Sequence, residues 1–413
     1  MEENKKNHKK KSIGSNPENL PNARAGYPYR TQISGDCLPS NPLAVCWVDG
    51  IEKTGLHFFP EKKQITGIPQ KSGSFDMQLN VRVYNESGIE ELSTHTLKLI
   101  VEDDIDFKLG EADENDPYWK RDEDVYDISV NRKKKMRLKK DLSAASRRGH
   151  QHIEKGKIRE DDFYIRYDTN TRWYVLAVAD GSGKAKYSRK GSEIACRSVV
   201  ETCLEQLTKQ SRRLRRLAFR HILKKSEKIR NEIIKRLHDV MTASVTTAYQ
   251  AIVTEAADFK RHPDDYATTL LMCICKKFEF GWLIGAFGAG DGAVCVYRKD
   301  EPYANLMGGG DAPSAKCFLT KPGIVQPSEL DRRIRFTIID DFSALFLMTN
   351  GVSDPKFGSK DLSSIEKWNK FWDDICSEVN FSGKTKSVSE DLLKWLDFWT
   401  PGKYDDRTIA VVF

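Results

Sequence analysis

No stretch of the 413 residues approaches the roughly 18 consecutive apolar side chains of a membrane-spanning helix, and the opening MEENKKNHKKK has no apolar core behind it. Neither a span nor a secretory signal is expected, and the chain is expected to stay in the cytoplasm. Nine cysteines include no C-x-x-C pair, and eight histidines include no H-x-x-x-H spacing. Zinc therefore lacks a ligand set, the scattered thiols read as reduced core residues, and any metal must be held by oxygen. Positive charge exceeds negative by seven, but it gathers in Arg132 to Lys140 and in Arg212 to Lys235 without the aromatic interleaving of a nucleic-acid groove. The acidic run from Glu102 to Asp127 can neutralise the first of these, so both read as solvated charge, and neither nucleic acid nor membrane is expected as a partner.

What is present fits a folded chain. Hydrophobic residues make up 39% and charged residues 31%, and the length suits two domains with tails. Residues 1–15, rich in Lys, Asn and Ser, are expected to be a disordered tail. Across 16–103 the pattern is all β. Phe75, Met77, Leu79, Val81 and Val83 alternate with polar residues, and Leu97, Leu99 and Val101 alternate again after the turn-forming Asn85-Glu86-Ser87-Gly88. With Phe58-Phe59-Pro60 and Ile65-Thr66-Gly67-Ile68-Pro69 upstream, this stretch resembles small immunoglobulin-like or cadherin-like sandwich domains, which implies an interaction module. Residues 104–140 read as a charged linker whose Tyr118 and Trp119 can dock on a neighbouring domain.

From 141 to 413 the pattern is mixed. Trp173 to Ala179 is a continuous apolar run of strand length, as in a strand covered on both faces. No proline interrupts 188–262, where Cys196, Val199, Val200, Cys203 and Leu207, then Val245, Ala248, Tyr249, Ile252, Ala256 and Phe259, recur at helical spacing. Further strands are expected at 268–275, 282–287, 293–297, 334–339, 345–349 and 408–413, with helices after Asp361 and after Ser387. Such an order predicts sheets covered by helices, an α+β domain.

Acidic residues stand at strand ends or beside glycines in five segments: Glu160-Asp161-Asp162, Asp180-Gly181, Gly290-Asp291-Gly292, Thr349-Asn350-Gly351-Val352-Ser353-Asp354, and Asp405-Asp406-Arg407-Thr408. Carboxylates on rigid strand ends can converge, and adjacent glycines let other groups come close. Converging carboxylates repel unless a cation lies between them. Oxygen ligands suit Mg²⁺ or Mn²⁺, which can bridge a phosphate and acidify a water.

In this order the segments resemble the metal-dependent serine/threonine phosphatases of the 2C type. The likeness rests on Glu160-Asp161, Val178-Ala179-Asp180-Gly181-Ser182-Gly183, Thr268-Thr269, Gly290-Asp291-Gly292, Thr349 to Asp354, and Asp405 to Thr408. It implies a four-layer αββα sandwich of two antiparallel sheets, with metals in a cleft at one edge. It also implies hydrolysis of phosphoserine or phosphothreonine by direct attack of a metal-bridged hydroxide. Asp180 would bridge two ions beside the Gly181 carbonyl. Asp405 and residue 350 would complete the first site, Glu160 and Asp161 would serve the second, and Asp291 would hold a weaker third ion. The implied partners are a phosphoprotein substrate and a serine/threonine kinase or its substrate, recruited by the N-terminal module.

Two departures matter. Asn350 stands where the pattern has aspartate, which keeps an oxygen ligand and removes a charge, so metal affinity should fall. Gly156 stands where many relatives have a phosphate-binding arginine. Arg159, Lys157 and Arg148 are the substitutes, Arg159 foremost because its planar fork suits phosphate. His150 and His152 are candidate general acids, His150 the first of them. No cysteine is followed by the arginine of a cysteine-dependent phosphate loop. Two readings stay open: an active phosphatase, or an impaired relative that binds a phosphoprotein as a scaffold.

Overall fold

The computed structural model describes residues 18–33, 44–84, 90–102, 115–130, 139–299, 303–308, 317–358, 362–382, 387–398, 400 and 405–413. Contacts divide the chain into two units, one around residues up to Phe107 and one around Lys108–Phe398 with Lys403–Phe413. The expected tail, the 85–88 turn and most of the first basic run fall outside the described residues.

The described elements of the first unit are eight strands and two short 3-10 helices, Ile51–Lys53 and Pro60–Lys62. Its strands are β1 (Glu18–Asn19), β2 (Ala23–Arg24), β3 (Tyr29–Gln32), β4 (Val45–Asp49), β5 (Leu56–Phe59), β6 (Gln64–Gly67), β7 (Gly73–Tyr84) and β8 (Glu90–Glu102). One sheet runs β1-β8-β7-β4 with β2 also on β8, and a three-stranded sheet runs β3-β6-β5. The alternation read from the sequence becomes the antiparallel β7–β8 pair, with Phe75 opposite Leu99 and Met77 opposite Leu97. Their apolar faces bury Met77, Leu79, Val81, Leu97, Leu99 and Val101, and Leu56, Ile65 and Tyr29 of the smaller sheet enter the same core.

The second unit contains β9 (Glu123–Ile128), β10 (Leu142–Arg147), α1 (His150–Glu154), β11 (Asp162–Tyr167), β12 (Tyr174–Ala179), α2 (Ser188–Lys224), α3 (Glu227–Asp258), β13 (Leu270–Phe278), β14 (Gly281–Ala289), β15 (Ala293–Arg298) and β16 (Tyr303–Gly308). It continues through α4 (Pro327–Arg333), β17 (Ile334–Ile339), β18 (Ala344–Met348), α5 (Asn350–Phe357), α6 (Ile365–Glu378), α7 (Val388–Trp395) and β19 (Arg407–Val412). Two antiparallel sheets result, ordered β11-β12-β13-β14-β17 and β16-β15-β18-β19-β10-β9.

Every side chain of β12 is buried, because the strand is covered on both faces. Tyr174, Leu176 and Val178 point one way and meet Leu345, Leu347, Ala410 and Val412 of the other sheet. Val175, Ala177 and Ala179 point the other way, onto the apolar stripes of α2 and α3. A further core joins β15, β18 and β19 to α5, α6 and α7 through Phe346, Trp368, Phe371 and Trp395. Phe259, counted in the α3 stripe, lies past the end of that helix and is 53% exposed. Gly191 lets α2 press on the chain before β13: a Cβ there would stand 2.0 Å from the Tyr266 carbonyl oxygen.

Of the span 104–140, expected to be a linker, residues 115–130 and 139–140 are described. Within it, β9 adds an edge strand to β10, in register from Glu123 opposite Arg147 to Ile128 opposite Leu142. Lys140 is folded in as well, its ammonium 2.6 Å from the Phe342 carbonyl and 4.4 Å from the Phe342 ring centre. Pairing on both sides of β10 supplies what its small residues, Leu-Ser-Ala-Ala-Ser-Arg, do not signal by propensity. Among the described residues no helix is long and apolar enough to cross a membrane.

Candidate metal centre

Strand ends from both sheets deliver the acidic segments to one place. Glu160 and Asp161 lead into β11, Asp180 follows β12, Asp291 sits between β14 and β15, Asn350 follows β18, and Asp405 and Asp406 precede β19. Asp180, Asp291, Asn350 and Asp405 are half-buried, while Glu160, Asp161 and Asp406 are buried. The turn Gly290-Asp291-Gly292 takes positive φ at both glycines, 105° and 92°, so that it can lie against Thr269 and Thr349. The Asn350 amide donates to Asp291 Oδ2 at 3.4 Å.

Threonines and main-chain amides fix the buried acids. Asp161 Oδ2 accepts from Thr408 Oγ1 at 2.7 Å and from Thr349 Oγ1 at 2.8 Å. Asp406 accepts from the amides of Gly149 at 2.6 Å, Glu160 at 2.5 Å and Asp161 at 3.3 Å, and from His152 Nδ1 at 2.9 Å. The Asp180 carbonyl accepts from the Thr269 amide at 2.8 Å and from Thr268 Oγ1 at 3.0 Å. Gly181 is held against the Glu160 carbonyl, 2.7 Å from where its Cβ would be, so only glycine fits.

Burial and mutual repulsion raise most of these carboxyls. Asp161 is pushed up to about 8, by burial first and then by Asp406 and Asp405, with Thr408 and Thr349 opposing. Burial and then Asp161, Asp405, Asp291 and Asp406 lift Asp180 well above the carboxylate range. Glu160, Asp291 and Asp405 are raised too, each chiefly by burial. Asp406 is the exception. Burial acts upward on it, but the His152 bond and charge and the Gly149 and Glu160 amides hold it below its usual value. Burial alone would lower His152, yet Asp406, Glu160 and Asp405 outweigh it and hold the imidazolium up to about 9.

These residues fit a hard divalent cation. Glu160 Oε2, Asp161 Oδ1 and Asn350 Oδ1 are buried oxygens with no hydrogen-bond partner, and His152 Nε2, 3.4 Å from Glu160 Oε2, attracts that atom without satisfying it. Unpaired buried oxygens among mutually repelling carboxylates call for positive charge. Among the described residues no three His, Cys, Asp or Glu side chains close tightly enough to hold an ion alone.

Of the expected phosphate-binding cations, Arg159 is turned inward. It is 2% exposed, and its guanidinium bonds Ser146 Oγ and the carbonyls of Asp161 and Arg121. It braces the acid segment and has no face left for substrate. Arg148 is also buried, bonded to Asp122 and to the His152 carbonyl. Lys157 is half-buried with its ammonium 3.0 Å from the Gly183 carbonyl, and its charge acts on Glu160. His150 is half-buried at the start of α1, while His152 is the histidine bonded into the acids. Asp406, Thr349 and Thr408 also belong to this network, and the only sequence signal for Asp406 is the Asp405-Asp406 doublet. In an extended chain neighbours point opposite ways, and which one faces inward depends on strand position.

Gly351 lets α5 start directly over this network: a Cβ there would lie 1.9 Å from the Asp406 carbonyl oxygen. Gly351→Ala is expected to cost about 2–3 kcal/mol of stability, since the clash is with backbone. A denaturant midpoint equal to that of the parent chain would show that the Asp406 peptide can yield.

Residues 148–397 match the family model described as Protein phosphatase 2C. The match contains Glu160, Asp161, Asp180, Asp291 and Asn350, and ends before Asp405. Among curated proteins none matches the sequence significantly. Similar solved structures include the S. agalactiae serine/threonine phosphatase, 11% identical, covering 70% of this chain and 99% of that one at TM-score 0.38. The Mycobacterium tuberculosis serine/threonine phosphatase PstP/Ppp is 15% identical, with coverages of 66% and 97% and TM-score 0.35. RsbX in complex with magnesium is 14% identical, with coverages of 70% and 98% and TM-score 0.34. Likeness at that level carries no argument, and the assignment rests on the sequence match, which spans more than half of the chain. On that match, this chain belongs to the protein phosphatase 2C family.

Proposed function

We propose that the chain is a metal-dependent phosphoprotein phosphatase acting on phosphoserine and phosphothreonine. The observation that carries this reading is the gathering of acidic strand ends around unpaired buried oxygens. When bound, Mg²⁺ or Mn²⁺ supplies positive charge for the phosphate oxygens and a water of lowered pKa. Asp180, the Gly181 carbonyl, Asn350 and Asp405 would hold one ion, Asp180 with Glu160 and Asp161 the second, and Asp291 a weaker third. Lys157, rather than the inward Arg159, would meet the substrate phosphate. His150 is the candidate proton donor to the departing serine or threonine oxygen, because both ring nitrogens of His152 face acids, Nδ1 at Asp406 and Nε2 at Glu160. The order of the three cores in the second unit supports a four-layer αββα sandwich. The first unit, two small sheets on one core, suits an immunoglobulin-like or cadherin-like module that recruits a phosphoprotein, a kinase or its substrate.

One observation favours a second reading, an impaired relative that binds a phosphoprotein as a scaffold. Asn350 brings no charge, and its amide engages Asp291, which weakens both positions for a cation. Hydrolysis of a small aryl phosphate with Mn²⁺ or with chelator, compared between this chain and Asn350→Asp, separates the two. Asn350→Asp is expected to bind Mn²⁺ about tenfold more tightly, since ligand charge sets affinity. Mn²⁺-dependent turnover by the chain as it stands supports the phosphatase. Turnover by Asn350→Asp alone identifies a disabled form, and silence from both leaves the scaffold.

A further inference from the structure

The chain approaches the acid cluster through residues 116–124, and this segment is fastened along its whole length. Asp116 pairs with Arg189 at the start of α2 and also accepts from the Tyr118 amide at 2.8 Å. The Tyr118 hydroxyl donates to Glu255 at 3.0 Å and accepts from Arg261 at 2.9 Å, while its ring lies edge-on to Tyr187 and Tyr266. The Arg121 carbonyl accepts from Arg159 Nε at 3.1 Å, and the Asp122 carboxylate holds Arg148 at 3.1 Å. Arg159 and Arg148 reach on to the carbonyls of Asp161 and His152, each at 3.1 Å.

Between these anchors Lys120 turns inward, its side chain only 10% exposed. An ammonium has three donors and no acceptor. Here it faces three oxygens: Asp162 Oδ2 at 2.6 Å, Ser192 Oγ at 3.1 Å and the Asp161 carbonyl at 3.3 Å. Ser192 Oγ in turn donates to the Glu160 carbonyl at 2.5 Å. One cation thus touches Asp161 and Asp162 directly and Glu160 through a serine. A buried ammonium so arranged fixes the peptides on which the candidate ligands Glu160 and Asp161 are mounted.

We propose that Lys120 is a positioning residue for the metal centre: clamped by the 116–124 strap, its ammonium sets the Glu160-Asp161-Asp162 segment in the geometry that a divalent cation requires. The assignment of Glu160 and Asp161 as ligands rests on the function proposed above; the mechanical part does not. Supporting groups behind metal ligands typically change affinity by roughly 10- to 100-fold when removed.

The test uses the full chain with Lys120→Met, Lys120→Arg and Ser192→Ala. Mn²⁺ affinity is read by calorimetry, and hydrogen exchange of 158–163 is read in chelator. Lys120→Met is expected to weaken Mn²⁺ binding about tenfold and to speed exchange at 158–163, with α3 unchanged. Lys120→Arg should restore most of the affinity, and Ser192→Ala should lose part of it while keeping the ammonium. Exchange at 158–163 and Mn²⁺ affinity both within twofold of the parent in Lys120→Met would overturn the proposal, as would equal losses in the Arg and Met variants. If Lys120→Met does not fold, unchanged exchange and affinity in Ser192→Ala overturn it instead. If the parent binds no Mn²⁺, the proposed function fails, and accelerated exchange in Lys120→Met still establishes the strut.

Discussion

Asp180→Asn is expected to move activity and metal-free stability in opposite directions. Asp180 stands where the fields of Asp161, Asp405, Asp291 and Asp406 meet, and with burial they raise its carboxyl well above the ordinary range. Without a cation, that carboxylate is a source of repulsion in the folded state. The amide has nearly the same shape and no charge, so in chelator the variant should melt about 3–6 °C higher, equivalent to 1–2 kcal/mol in a domain of this size. With Mn²⁺ the sign reverses: the variant loses the ligand proposed to serve two ions and gains little from metal. Turnover of an aryl phosphate should fall roughly 10³-fold, or about 4 kcal/mol in barrier height. Melting curves with chelator and with Mn²⁺, beside initial rates, give both arms. A variant that melts lower than the parent in chelator would show that the acids are not in repulsive contact.

The gain in stability from metal should itself grow steeply with pH. Asp161 rises from an ordinary 3.8 to about 8, and Asp180, Asp405, Glu160 and Asp291 are raised as well. A raised folded-state value means that the folded chain holds the proton more tightly than the unfolded one. The stabilisation is therefore complete below the unfolded value and is lost as pH climbs through the folded value. For the aspartates the loss begins near 3.8 and for Glu160 near 4.5, and for Asp161 it continues to about 8. His152 follows the same rule over a later window, from 6.5 to about 9, where its ion pair with Asp406 is lost. Asp406 has the opposite sign, because its value is lowered, and its contribution disappears only as the medium becomes strongly acidic. Metal-free protein should thus be most stable in mild acid and weaken towards alkaline pH. A divalent cation binds the deprotonated acids, so its stabilising effect should be small at pH 5 and on the order of 5 °C or more at pH 8. Equal metal-induced shifts at both pH values would contradict raised carboxyls.

Most regular elements of the second unit are legible in the sequence. The fully apolar Trp173 to Ala179 and the proline-free 188–262 carry their environment in their composition, since a strand covered on both faces and a helix with one buried stripe each leave a periodic trace. The five acidic segments and their order were equally visible. Elements held mainly by their neighbours were not. The strand β10 has small side chains that fit because β9 and β19 flank it, and β9 itself is a polar edge strand inside a run read as linker.

Roles within the centre divide in the same way. By itself the sequence determined that strand ends would carry acids beside glycines, and it set the expectation that oxygen would meet any metal and that Asn350 would bring one charge fewer. Tertiary structure decided which side chain of each neighbouring pair turns inward: His152 is bonded to the acids rather than His150, and Asp406 to the amides of Gly149, Glu160 and Asp161 beside the more accessible Asp405. It also turned Arg159 from an expected substrate contact into a buried brace, and Lys120 from a linker charge into a support for Asp161. The reason is that local patterning records how much of a side chain is buried, whereas its hydrogen-bond partners come from segments as distant in sequence as Asp406 and Glu160. Strand register and the requirement that buried polar groups be paired settle those partners only when the whole unit folds.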